Sequence, residues 1–150
     1  MINKEDISSI PIKGDVNFRE QKIDKNHTAL LIIDLQKGEY NPELIKEKPQ
    51  ENYMWNRIKN VVLPNGKKII EKCRHNKIEV IFTVIESYTK DGRDRGIDYK
   101  ISGIFCPKNS KEAEVIDEIK PLDNEIVIPK TSSSVFNSTN IEYVLRNLSI

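Results

Sequence analysis

The sequence predicts an α/β protein, a parallel sheet covered by helices on both faces in a three-layer α/β/α arrangement. Three observations carry that expectation. The run Ala29-Leu30-Leu31-Ile32-Ile33 is apolar throughout and ends on Asp34, as a parallel strand buried on both faces does. Residues 78–85 (IEVIFTVI) and 125–128 are two further short runs rich in β-branched residues. Stretches with apolar residues at helical spacing separate and follow them, and right-handed crossovers make the order β-α-β-α-β-α a parallel sheet.

Taken in order, residues 1–26 are polar and irregular and read as an N-terminal arm, with one domain over 27–150. The first strand covers 28–33. Residues 35–56 contain Gly38, Pro42 and Pro49 and read as loop with a short helical turn. Ile58, Val61, Val62, Ile69, Ile70 and Cys73 follow the i, i+3, i+4 rule, and Pro64 fits the first turn of a helix beginning there. After the 78–85 strand, residues 87–108 hold three glycines and mixed charge and read as a long loop. Ser110 is expected to cap a short helix with Ala113, Ile116 and Ile119 on its apolar face, ended by Pro121. The third strand is followed by a helix that Thr139 and Glu142 would open as a capping box, its buried face carrying Ile141, Val144, Leu145 and Leu148.

Composition excludes several classes. A chain of 150 residues is one domain by size, and a net charge of +1 with 31% charged residues calls for neither nucleic acid nor an anionic membrane. No 18-residue apolar run and no signal-peptide core occur, so a soluble, cytoplasmic protein is expected. The two cysteines, Cys73 and Cys106, have no disulfide or zinc spacing. His27 and His75 form no ligand pair, and Leu35-Gln36-Lys37-Gly38 cannot make a dinucleotide cradle, so no metal and no cofactor are expected.

Two residues stand out. Asp34 ends the first strand and Lys130 the third, and parallel strands deliver both to the carboxyl edge of the sheet, where such folds bind ligands. Asp34 has a structural reading as a turn cap and a functional one as a general base. Lys130 has a structural reading as a solvated surface charge and a functional one as an ammonium that supports negative charge on a neighbour or a substrate oxygen. Thr131-Ser132-Ser133-Ser134 reads as a turn rather than a nucleophile, since no G-x-S-x-G surrounds it. Cys73 lies on a helix's apolar face and reads as core. Cys106, followed by Pro107, lacks a backbone N–H that would stabilise a thiolate.

These residues resemble the isochorismatase-like cysteine hydrolases, whose fold is Rossmann-like. The likeness runs from about His27 to Ile150. It rests on the strand ending in D-x-Q, here Asp34-Leu35-Gln36, and on I-V-x-x-K with K-x-x-x-S-x-F, here Lys130 through Ser134 to Phe136, then the helix beginning Ile141-Glu142-Tyr143. The middle stretch (TKDGRDRGIDYKISG) is similar to the ureidoacrylate- and biuret-type amidohydrolase branch.

The resemblance implies an Asp-Lys-Cys triad acting on a C–N bond of a small amide or ureido compound, and a homo-oligomer. Asp34 would activate the thiol, Lys130 would balance its charge, and backbone amides would form the oxyanion hole. Tyr40, Glu86, Tyr88 and Ser134 are candidate substrate-binding residues, because they lie just beyond strand ends or on the Lys130 loop. Ser133 stands where many relatives carry an aromatic residue. The family's cysteine follows a fourth strand that would begin just after Ile150, so this chain is expected to hold two of the three triad members, with the C-terminal half of the fold missing. Strand one would then be an open apolar edge, and the chain marginally folded, aggregation-prone or completed by another chain. The alternative is a catalytically inactive fragment or an interaction module that pairs with a full-length relative. A flavodoxin-like nucleotide binder is disfavoured by the absent glycine-rich loop.

Overall fold

The computed structural model describes residues 23–40 and 53–150; within 23–40 the side chains of Glu39 and Tyr40 lie outside the described residues. Most of the expected N-terminal arm, residues 1–22, also lies outside them. Three strands, β1 (Ala29–Ile33), β2 (Glu79–Ile85) and β3 (Ile126–Lys130), form a parallel sheet in the order β1-β2-β3. The register pairs Ile33 with Thr83 and Ile85 with Lys130, so the carboxyl ends of β1 and β3 finish on either side of β2.

Helices cover both faces, as expected. On one face α3 (Leu63–His75) sets Leu63 and Ile70 against Val80, Phe82 and Val84 of β2, with Ile32, Ile116 and Ile119 completing the layer. On the other, α6 (Ile141–Asn147) sets Ile141 and Leu145 against Ile81 and Ile128. Val80, Phe82 and Val84 face one way and Ile81 the other, the period-2 alternation of a central strand buried on both sides. Cys73 packs against the first of these cores, and burial pushes its thiol pKa up, as befits a core residue.

The helix expected from Pro64 begins earlier. The short helix α2 (Tyr53–Arg57) runs through a π-helical turn, Ile58–Val62, into α3. Pro64 has no N–H for the carbonyl one turn back, and the turn ahead of it widens until Leu63 N–H reaches Ile58 O. At its other end α3 stops because Lys77 turns left-handed, at φ 58°, and the N–H groups of Lys77 and Ile78 bond the carbonyls of Arg74 and Cys73.

Residues 110–120 correct the reading of a short amphipathic helix. Two separate 3-10 turns, Lys111–Ala113 and Asp117–Ile119, flank an extended segment at 114–116. That segment pairs with residues 35–37: Gln36 bridges Val115 in antiparallel fashion, Lys37 N–H bonds Glu114 O and Ile116 N–H bonds Leu35 O. Ala113, Ile116 and Ile119 are buried as the periodicity requires, but the helical ladder is broken between the two turns, where the backbone groups of Glu114 and Ile116 bond the distant segment at 35–37. Gly38, in α1 (Lys37–Tyr40), permits the close approach, since a Cβ there would lie 2.8 Å from Glu112 Cβ.

The 87–108 loop holds a helix, α4 (Ile97–Ser102), that gave no periodic signal. The last helix is capped at Asn140, one residue after the expected Thr139 and without a side-chain cap bond, while Thr139 Oγ1 accepts the N–H of Ile141. Glu142 does not reach back to complete the box and pairs forward with Arg146. Between β3 and α6 lies one further short helix, α5 (Val135–Ser138).

Candidate functional site

The site starts from the way β1 ends. An ordinary continuation of β1 would turn Asp34 to the face opposite Thr83, because Ile33 is Thr83's register partner. Instead Asp34 adopts φ 55°, which takes it out of the pleat while its N–H still bonds Thr83 O at 3.0 Å. Its carboxylate thereby accepts the Thr83 hydroxyl at 2.8 Å and meets Lys130 Nζ at 2.8 Å. Aspartate is among the few non-glycine residues that adopt this conformation readily, and such strain collects at functional sites.

Lys130 lies on the same face as Thr83, two residues beyond Thr83's partner Ile128. It is 1% exposed, which removes the reading of a solvated surface charge. Its ammonium bonds Asp34, the Tyr99 hydroxyl and the carbonyl of Ser132 at 3.2 Å, with Ser133 O at 3.5 Å. Burial disfavours the charged ammonium, but the bonds to Asp34 and Tyr99 outweigh it and hold the Lys130 pKa above its ordinary value. Tyr99 moves the same way because burial disfavours its phenolate more than Lys130 favours it. Lys130 is thus held as an ammonium, locked to Asp34 across the end of β2.

Gln36, the third letter of D-x-Q, is fully buried and supports the strand ends instead of facing solvent. Its Nε2 donates to Ile85 O and Glu112 O, each at 3.0 Å, and its Oε1 accepts the Ile85 N–H. Cys106 is buried behind it, with Sγ 3.4 Å from Gln36 Nε2 and Ile85, Tyr99 and Ala113 around it.

The remaining candidates are scattered. Glu86 turns its carboxylate onto the N–H of Asn109 and lines a cleft of about 460 Å³ with Ser110, Asp117 and Val127. Tyr88 is half exposed, and its hydroxyl reaches the carbonyl of Pro129, next to Lys130, at 3.4 Å. Ser134 lines a different cleft, of about 590 Å³, with Asp94, Asp98, Ser132, Ser133 and Asn137. Its carbonyl accepts the hydroxyls of Ser132 and Ser138. The Tyr40 side chain lies outside the described residues. Asp34 and Lys130 therefore meet, Tyr88 reaches only the carbonyl of Pro129, and Glu86 and Ser134 line separate clefts.

Sequence reasoning missed Thr83 and Tyr99. Thr83, a lone hydroxyl in an otherwise apolar strand, was a usable signal. Tyr99 offered none, because only the docking of α4 brings it to Lys130. Among the described residues no three His, Cys, Asp or Glu side chains gather as a metal site, and no helix is long and apolar enough to cross a membrane.

Comparison with known proteins agrees with this architecture. The Isochorismatase domain family matches residues 28–150. N-carbamoylsarcosine amidase of Arthrobacter sp. is 34% identical over 89 residues, spanning 56% of this chain and 34% of that protein. An uncharacterized isochorismatase family protein of Bacillus subtilis (strain 168), YrdC, is 33% identical over 120 residues, spanning 79% of this chain and 51% of its own. The chain thus spans between about a third and about half the length of these relatives. Among solved structures, a cysteine hydrolase from Pseudomonas syringae pv. phaseolicola 1448A superposes with a TM-score of 0.69 at 22% identity, over 87% of this chain and 58% of that one. N-carbamoylsarcosine amidase from Thermoplasma acidophilum gives 0.60 at 24% identity, over 82% and 62%. Matched along nearly all of its strands and helices, the chain belongs to the isochorismatase family.

Proposed function

We propose that this chain carries the aspartate and lysine of a cysteine hydrolase that cleaves a C–N bond in a small ureido or amide compound. The observation that carries the reading is the ion pair of Asp34 with a buried Lys130 at the carboxyl edge of the sheet. A buried ion pair is a poor means of stabilising a fold, and at a ligand-binding edge it is a means of handling protons. The substrate class is supported by a relative named for its activity, an amidase of an N-carbamoyl compound.

In this reading Asp34 takes the proton of a cysteine thiol, and the thiolate attacks the carbonyl carbon. The C–N bond breaks as Asp34 returns the proton to the departing nitrogen, and water clears the acyl-enzyme. Lys130, ion-paired with Asp34, offsets the negative charge carried by the thiolate. Neither Cys73, packed in a core, nor Cys106, behind Gln36, suits the nucleophile. A cysteine brought by a further strand would suit it. Among the described residues β1 pairs on one side only, with β2.

The test is ammonia release from N-carbamoyl amino acids, biuret and urea by the protein isolated from its own cells. Turnover that Asp34→Asn and Lys130→Met each reduce by at least about a thousandfold supports the reading. Turnover that survives either change sinks it. The same open edge, with Ile33 57% exposed beside it, favours a second reading, an interaction module that pairs with a full-length relative. Co-purification with such a relative, and no turnover by the chain alone, would favour that one.

A further inference from the structure

Lys130 is held by a helix that the reaction scheme does not use. The short helix α4 is fastened along the turn that follows β3. Gly96 N–H bonds Thr131 O at 2.8 Å, and Asp98 Oδ2 accepts the N–H of Ser133 at 2.7 Å. Gly96 is the residue that lets the two segments meet, since a Cβ there would lie 2.4 Å from Asp98 Oδ1 and 3.0 Å from Ser132 Cβ. Directly after these fastenings Tyr99 points inward. It is 2% exposed, its hydroxyl accepts a proton of the Lys130 ammonium, and its ring centroid lies 5.2 Å from Nζ.

We infer that Tyr99 is a positioning residue that aims the Lys130 ammonium at Asp34, a role that rests on the hydrolase reading of that pair. An ammonium has three protons and can rotate. Here Asp34 takes one, Tyr99 another and the carbonyls of Ser132 and Ser133 the third, so the set leaves one orientation. Among the described residues, the charged and titratable groups around Nζ come from two elements: Asp34 after β1, and Tyr99 on α4 with Asp98 next to it; the turn after β3 contributes carbonyls alone. Removing the Tyr99 hydroxyl frees one proton of the ammonium without removing the ring over it. A tyrosine that merely fills the core beside Ile85 and Cys106 would not matter to Lys130 in this way.

The measurement is the exchange of the Lys130 ammonium protons with water at neutral pH, read by NMR on the full chain labelled with 15N-lysine. The signal is assigned through its contact with the ring at position 99. In the unchanged chain a fully bonded ammonium gives a slowly exchanging signal. Tyr99→Phe is expected to accelerate that exchange about tenfold, the loss of one charge-assisted hydrogen bond. It is also expected to lower kcat while leaving KM unchanged in the ammonia assay. Equal exchange in both chains overturns the inference. Should the Phe variant not fold, a rapidly exchanging Lys130 signal in the unchanged chain overturns it instead, and a slow one in contact with the Tyr99 ring supports it. Exchange is read without substrate, so a failure here is distinct from a failure of the hydrolase reading, which the Asp34 and Lys130 variants decide.

Discussion

The side-chain amide of Gln36 bonds both backbone groups of Ile85, accepting its N–H on Oε1 and donating to its carbonyl from Nε2 at 3.0 Å. One buried side chain thus behaves as a short strand beside the end of β2, where β1 has already turned away at Asp34. Gln36→Leu would leave the N–H and carbonyl of Ile85 buried without this partner. The expected cost is about 2–3 kcal/mol, seen as a lower urea midpoint at unchanged m. A midpoint within experimental error of the parent would refute the role.

Asp34 and Lys130 should be strongly coupled. Asp34→Asn keeps a residue that tolerates φ 55° and removes only the charge, stranding a buried ammonium, and should cost about 3–5 kcal/mol. Lys130→Met should cost less, because Asp34 keeps the Thr83 hydroxyl. The double variant should be more stable than Asp34→Asn alone. Additive losses in a double-mutant cycle would show the pair to be uncoupled.

The same pair sets a direction for alkaline stability. The folded Lys130 pKa lies above the ordinary 10.5, because the bonds to Asp34 and Tyr99 outweigh the opposing effect of burial. Its contribution is therefore fully present below about pH 10.5 and is lost as pH rises through the higher folded value. Thermal midpoints of the parent chain should fall as pH rises above about 10.5, with the Lys130 share of that fall missing from Lys130→Met.

At the acid end Glu125 is one contributing group. Burial opposes its charge, yet bonds from Arg74 and the Leu122 N–H hold its carboxyl below the ordinary 4.5. Arg74 meets it through Nε at 2.8 Å and Nη2 at 2.7 Å, tying α3 to the start of β3. That stability is present above about pH 4.5 and is lost as pH falls through the lower folded value. Glu125→Gln should lose about 1–3 kcal/mol at neutral pH and show a shallower acid limb in its pH–stability curve.

Gly92 tests the loop. It sits at φ 67°, and a Cβ there would lie 2.5 Å from the Phe105 ring, on which Arg95 stacks at 4.5 Å. Gly92→Ala should cost about 2–4 kcal/mol, from left-handed strain and the displaced ring together. A calorimetric midpoint unchanged from the parent would contradict the geometry.

Much of this was legible before any tertiary contact was known. The strands announced themselves because a central parallel strand must be apolar on both faces, and IEVIFTVI has no other home. Helical spacing found the buried Ile58, Ile70 and Ile141, but Val62 and Ile69, assigned to the same apolar stripe, are exposed. Residues 111–119 were misread, because a helix and two 3-10 turns can bury the same Ala113, Ile116 and Ile119. What separated them was the antiparallel bridge to Gln36, a contact between residues far apart in sequence.

By itself the sequence determined the parallel sheet, the family and the delivery of Asp34 and Lys130 to one edge, because strand periodicity and strand ends are local properties. Only the tertiary structure decided how those two groups meet. The left-handed turn at Asp34, the hydroxyls of Thr83 and Tyr99 and the burial of Lys130 arise when β1, β2, β3 and α4 pack together. A charge's environment is set by its neighbours in space, and those neighbours come from four separate stretches of the chain.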